Sequence, residues 1–136
     1  MDRWGGVTKW LLWYWVPPLA WMGLIFALSA QPDLPHAPGP WLDTLLKKAG
    51  HAAVYGVLAW LYQRALRHRF GEGHTSATLR IASISLAMVY ALSDEYHQAF
   101  VPGRNGRLFD VAVDVVGACA AMLLDWWLER RRALPQ

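Results

Sequence analysis

The charged residues of this chain are grouped so that they leave long stretches almost free of charge. Residues 10–29 hold no acidic or basic side chain and are apolar on every side of a helical projection. A helix needs about 20 such residues to cross ~30 Å of hydrocarbon, whereas a surface helix of a soluble protein carries an apolar stripe and a charged face. We therefore predict a membrane protein, although 55% hydrophobic residues and a mean hydropathy of +0.17 would also suit a soluble core-rich domain.

Four stretches of this kind predict four transmembrane spans, at about 10–29, 48–66, 77–92 and 111–128. Pro17-Pro18 should kink the first, because proline removes a backbone donor. Arg80 lies one turn inside the third, where its long side chain can snorkel outward. The predicted fold class is all-α: an integral membrane four-helix bundle that forms a single domain over residues 1–136. Indole rings prefer the headgroup layer, and tryptophans lie at the predicted span ends: Trp4, Trp10, Trp41, Trp126 and Trp127.

Basic residues are unequally divided between the two ends of these spans. Nine lie at the end that carries both termini, and four lie at the other end. Because the side richer in lysine and arginine faces the cytoplasm, both termini are predicted inside and the loops 31–47 and 93–110 outside. Basic residues that flank apolar spans, without a groove of interleaved aromatic residues, also argue against nucleic acid as a partner. The nine are Arg3, Lys9, Arg64, Arg67, Arg69, Arg80, Arg130, Arg131 and Arg132; the four are Lys47, Lys48, Arg104 and Arg107.

Ionisable side chains collect at the predicted outer end of the third span. Helical periodicity places Asp94, His97 and Gln98 on one face, and Glu95 on a neighbouring face. Ionisable groups this close to hydrocarbon are costly, so they are candidates for function and should face the bundle interior.

A chain reversal follows that helix. Pro102 biases the preceding residue away from helix, and Gly103 permits a sharp turn that sends Arg104 back towards the helix ends. Asp110 and Asp114 then share a face at the start of the fourth span. We expect Arg104 to form an ion pair with one of these carboxylates. Asp110 could alternatively serve as the N-cap of the fourth helix.

Two further faces point towards the same end. Lys48, His51 and Tyr55 fall on one side of the outer half of the second span. Gly117 and Ala121 continue the acidic face of the fourth span as small residues that let helix backbones approach closely.

The combined pattern resembles the signature of VanZ-like membrane proteins. It is carried by Asp94, Glu95, His97, Gln98, Phe100, Val101, Pro102, Gly103, Arg104, Asp110, Asp114 and Gly117, together with Lys48, His51 and Tyr55. The chain has Asp114 where the family usually has asparagine, which adds a potential charge, and Ala121 where the family usually has glycine. The resemblance implies a multi-pass protein of the bacterial cytoplasmic membrane and a link to teicoplanin-type glycopeptide resistance.

The residue types favour an anionic ligand, such as a phospholipid or a polyprenyl-phosphate head group, bound from the bilayer at the outer face. Arginine and lysine suit phosphate. The candidate ligand-binding residues are Lys48, His51, Tyr55, Gln98, Arg104, Asp110 and Asp114; the candidate acid–base residues are Glu95, His97 and Asp94. The alternatives are a small enzyme acting on a phosphate ester and a purely structural ion-pair network. A metal or other cofactor is not predicted, because no tight zinc spacing is present and Lys48 and Arg104 would oppose a cation.

Overall fold

The computed structural model describes residues 8, 11–32, 37–104 and 106–133, and within them it confirms the predicted all-α class with four helices. A π-helical turn, Leu11–Trp15, leads into α1 (Val16–Ser29). The others are α2 (Pro40–Phe70), α3 (Ser76–Gln98) and α4 (Leu108–Ala133). The parts of the predictions that concern Arg3, Trp4, Lys9 and Trp10 lie outside the described residues.

The start of α1 differs from the predicted kinked span. Helical residues run without a break from Leu11 to Ser29, and Pro17 and Pro18 lie where the π-helical turn passes into the α-helix. Because proline cannot donate a backbone hydrogen bond, two consecutive prolines fit a change in the helical hydrogen-bond pattern at this point. Side chains then fasten α1 to its neighbours, since Trp21 Nε1 donates to the carbonyl oxygen of Val54 at 2.9 Å.

The second helix is longer than its predicted span and begins at Pro40, so residues 40–47 are helical rather than part of a loop. Proline again occupies the first turn, where its missing donor costs nothing. Lys47 pairs with Asp43 one turn earlier at 2.7 Å, which supports this added length.

The predicted loop over 93–110 is also too long. Helix α3 continues through Gln98 and α4 begins at Leu108, so only residues 99–107 connect the two. Asp110 therefore lies inside the first turn of α4, and the N-cap alternative for it is wrong. Its carboxylate still lies near the positive end of the helix dipole.

Small residues allow α2 and α4 to pack closely, and these two helices share the largest interface of the bundle. A Cβ atom added at Gly117 would overlap the backbone of Ala52, and one added at Gly56 would lie 3.1 Å from the carbonyl oxygen of Gly117. The predicted small-residue packing face on the fourth helix, which includes Ala121, is thus confirmed.

The bundle buries polar side chains and exposes apolar ones. Gln63 and Asp114 are each 1% exposed, whereas Leu19, Ile81 and Val116 are 57%, 65% and 66% exposed. Within the described residues, Leu11–Ser29 and Ser76–Gln98 are long and apolar enough to cross a membrane. Buried polar groups surrounded by an apolar exterior are typical of a membrane protein.

One end of the bundle is joined by an ion-pair network that we call the arginine cluster (Arg67, Arg80, Asp125 and Glu129). Arg80 Nε donates to Asp125 at 2.9 Å, and its terminal nitrogen pairs with Glu129. Arg67 approaches the same two carboxylates at 2.8 and 3.4 Å. Arg80 is only 9% exposed, so the prediction that it snorkels outward is wrong. Two acceptors supplied by α4 hold it against the bundle instead.

Candidate functional site

At the opposite end of the bundle, which we call the motif end, the polar residues spaced along one face of α2 contact α4. Lys48 Nζ lies 2.8 Å from Asp110 Oδ1. One turn further along both helices, His51 Nδ1 lies 3.2 Å from Asp114 Oδ1. Because side chains three and four residues apart share a helix face, two helices in contact can pair these groups turn by turn.

Asp94 is the polar centre of the motif end and is 4% exposed. Its Oδ2 accepts hydrogen bonds from Ser29 Oγ at 2.8 Å, Tyr55 OH at 3.2 Å and Gln98 Nε2 at 3.0 Å. These donors come from α1, α2 and α3, so one carboxylate oxygen joins three helices. Sequence reasoning missed Ser29, because a serine at the end of an apolar span carries no distinctive signal.

Glu95 is also buried, at 6% exposure. Its Oε2 accepts the backbone N–H of Arg107 at 2.7 Å, which ties α3 to the turn before α4. One ligand atom from each of His51, Glu95 and Asp114 lies within 4.8 Å of the other two.

A cavity of about 660 Å³ opens at the motif end. Its walls carry more basic than acidic side chains, and two of the acidic groups are already paired. Lys48 bonds to Asp110, and Lys47 bonds to Asp43. The basic lining residues are Lys47, Lys48, Arg104 and Arg107, and the acidic ones are Asp43, Asp94 and Asp110.

Arg104 lines this cavity, as the predicted chain reversal implies. Gly103 has a φ of 81°, in the left-handed region that glycine adopts readily, and the N–H of Arg104 bonds to the carbonyl oxygen of Val101 at 3.1 Å. The expected ion pair between Arg104 and a carboxylate is not found among the described residues. Among the described residues no carboxylate pairs with Arg104, and its buried Nε has no hydrogen-bond partner. The turn aims the side chain over the cavity rather than onto the acids beneath it.

His97 does not join the other candidate acid–base residues. Its ring packs against Phe26 of α1, with centroids 4.4 Å apart, and it does not line the cavity. Asp94 and Glu95 also differ, since Asp94 lines the cavity and Glu95 does not. The structure therefore brings His51, Asp94, Arg104 and Asp110 to one cavity without assembling the predicted trio.

The chain was compared with known proteins. No curated protein and no solved structure matches it. The model of the VanZ/LLP1 family matches residues 9–129, a range that contains all four helices except the last four residues of α4. The matched range also includes every residue of the motif end described above. This match, together with two helices apolar enough to cross a membrane, indicates a membrane protein, and the chain belongs to the VanZ/LLP1 family.

Proposed function

We propose that this protein binds the anionic head group of a membrane lipid, such as a phospholipid or a polyprenyl-phosphate-linked wall precursor, in the cavity at the motif end. One observation carries the proposal. Arg104 and Arg107 line the cavity, and neither pairs with a carboxylate among the residues that the structure describes. A guanidinium presents several donors in a fixed plane and suits the oxygens of a phosphate.

The other walls of the cavity support a lipid rather than a free ion. Ile25, Leu28 and Val54 contribute apolar surface beside the charged groups. A head group could therefore be held by arginine while the first part of an acyl or prenyl chain packs against apolar side chains. Sites for small molecules commonly combine a mostly apolar wall with a few polar groups that fix orientation.

The proposed orientation places the motif end at the outer face of the bacterial cytoplasmic membrane, with both termini inside. Its support is the unequal division of basic residues between the two ends. VanZ-like proteins are linked with teicoplanin-type resistance. Binding of lipid-linked wall precursors at an outer site is the way in which this chain would contribute to such resistance.

The two alternatives find less support in the geometry. An acid–base enzyme built on Glu95, His97 and Asp94 would need groups that converge, and His97 lies against Phe26 instead. A closed ion-pair network does join three helices, but it is the arginine cluster at the opposite end of the bundle. The motif end has a cavity and two arginines, Arg104 and Arg107, that pair with none of the described carboxylates, and a purely structural network would need neither.

The test is lipid binding by purified protein in detergent, measured by native mass spectrometry with short-chain phosphatidic acid and short-chain phosphatidylcholine. We expect a preference for phosphatidic acid that Arg104→Ala weakens about tenfold or more, since a charge-assisted hydrogen bond contributes about 1.5–3 kcal/mol. Arg104→Lys should recover only part of it.

Arg69→Ala is the matched control, because Arg69 is an exposed arginine that does not line the cavity. Equal binding of the two lipids by the wild-type protein, or equal losses in Arg69→Ala and Arg104→Ala, would contradict the proposal. Teicoplanin susceptibility of cells that express the same variants would then test the link to resistance.

A further inference from the structure

Three carboxylates at the motif end are buried without a lysine or arginine partner among the described residues. Asp94, Glu95 and Asp114 are 4%, 6% and 1% exposed. Within the described residues, no lysine or arginine forms an ion pair with any of them. The contrast with the arginine cluster is direct, because Asp125 is held there by two arginines. Buried carboxylates are costly unless they are neutralised or matched by a cation.

Asp94 and Asp114 each keep one buried oxygen that has no hydrogen-bond partner among the described residues. Asp114 Oδ1 is bonded to His51, but Asp114 Oδ2 is buried and has no hydrogen-bond partner. A buried acceptor without a partner costs free energy and calls for an explanation, such as an ion. Asp114 Oδ1 also lies 3.2 Å from a nitrogen atom that can ligate a metal, Nδ1 of His51.

The geometry of the surrounding side chains suits a single ion. His51 Nδ1 and Asp114 Oδ1 are 3.2 Å apart, and two ligands on one tetrahedral zinc ion, with bonds of about 2.0–2.1 Å, lie about 3.3 Å apart. Glu95 brings a third ligand atom, and all three atoms lie within 4.8 Å of one another. Tetrahedral ligand atoms lie about 3.3 Å apart, so atoms separated by up to 4.8 Å would have to approach one another by up to about 1.5 Å, within the reach of side-chain rotation.

We propose that His51, Glu95 and Asp114 form a binding site for a divalent transition-metal ion of the zinc type. Two carboxylates and one imidazole are ordinary ligands for such an ion, whereas Ca²⁺ and Mg²⁺ prefer oxygen ligands alone. The ion would supply the positive charge that no lysine or arginine supplies. Three protein ligands also leave a coordination position for water or another group.

Nearby basic residues do not fill this role. The sequence argues against a cation because Lys48 and Arg104 lie close to the motif. In the structure, however, Lys48 is bonded to Asp110 at 2.8 Å, and Arg104 lines the cavity and pairs with none of the carboxylates that the structure describes. Glu95 and Asp114 do not line the cavity. The proposed ion therefore lies between two buried carboxylates and the half-buried His51, beside the lipid cavity, and only His51 belongs to both sites.

The experiment measures zinc binding to the full-length protein in detergent, after dialysis against a chelator, by titration with Zn²⁺ and elemental analysis. We expect about one ion per chain in the wild type. Loss of an outer-shell partner weakens metal binding about 10–100-fold, so each of His51→Gln, Glu95→Gln and Asp114→Asn, which removes a ligand, should weaken it at least as much. The matched controls are His97→Gln and Glu72→Gln, a histidine and a carboxylate outside the three-residue site.

A second measurement does not depend on the folding of any variant. Wild-type protein loaded with Co²⁺ should show visible d–d absorption from nitrogen and oxygen ligands, without the charge-transfer band that a Cys119 thiolate would add. No bound metal in the wild type, a thiolate band, or equal losses in the controls and the site variants would overturn the proposal. None of these outcomes decides lipid binding, which is tested separately through Arg104.

Discussion

Replacement of Gly117 by alanine should destabilise the protein although alanine is the better helix former. Gly117 lies in the middle of α4, where the helix crosses α2. A Cβ atom at this position would overlap the carbonyl oxygen of Ala52 and lie 2.5 Å from the carbonyl carbon and 2.6 Å from the Cα atom of that residue. All three are backbone atoms, so no side-chain rotation can relieve the overlap and the two helices must separate.

The magnitude follows from two opposing contributions. Alanine gains about 0.8–1 kcal/mol over glycine in a helix interior. Overpacking of a close contact costs about 1–3 kcal/mol, and occasionally more. Because the overlap is with backbone and the α2–α4 interface is the largest in the bundle, we place the steric cost at or above the top of that range. The net loss in the free energy of unfolding should then be about 2 kcal/mol.

The matched control is Gly23→Ala in α1. A Cβ atom there would meet nothing within 4 Å, so only the gain in helix propensity remains and stability should rise by up to about 1 kcal/mol. Both variants would be compared with the wild type by thermal unfolding in one detergent. A Gly117→Ala variant as stable as Gly23→Ala would refute the close approach of α2 and α4.

Four further outcomes follow from the described contacts. Arg104→Ala should stay within about 0.5 kcal/mol of wild-type stability, because no described carboxylate pairs with it; a loss of several kcal/mol in thermal unfolding would reveal a buried ion pair. Arg80→Ala should cost about 3 kcal/mol, since it leaves Asp125 and Glu129 with fewer donors, and a near-neutral result would show that the arginine cluster is solvated. Partial burial raises the pKa of Glu129, but hydrogen bonds and charge from Arg80 outweigh it and hold this pKa below its ordinary 4.5. Stability should therefore be retained above pH 4.5 and fall as the pH drops further, and Glu129→Gln should lack this part of the decline in a pH series of unfolding curves. A reporter that is active only outside the cytoplasmic membrane should be inactive when fused after Gln136, and an active fusion would reverse the proposed orientation.

The sequence alone was sufficient for the helical class and for most of the polar residues at the motif end, although it missed Ser29. Charge-free stretches of span length predict helices because a backbone in hydrocarbon must satisfy its own hydrogen bonds. Helical spacing also predicts that Lys48, His51 and Tyr55 act from one face, and the structure pairs them with Asp110, Asp114 and Asp94. Spacing within one helix is a local property, so it can be inferred without knowledge of the neighbouring helices.

Which residues contact each helix face depends on how the helices cross. Only the tertiary structure determines this. His97 and Gln98 both lie one turn from Asp94, yet Gln98 bonds to Asp94 while His97 packs against Phe26. The two positions differ by about 100° around the helix axis, and the placement of α1 determines which of them meets a polar group. Arg80 turns inward for the same reason, because α4 brings Asp125 within 2.9 Å of it. The spacing within one helix predicts which residues share a face. The residues that contact this face come from other helices, distant in the chain, so the spacing does not predict them.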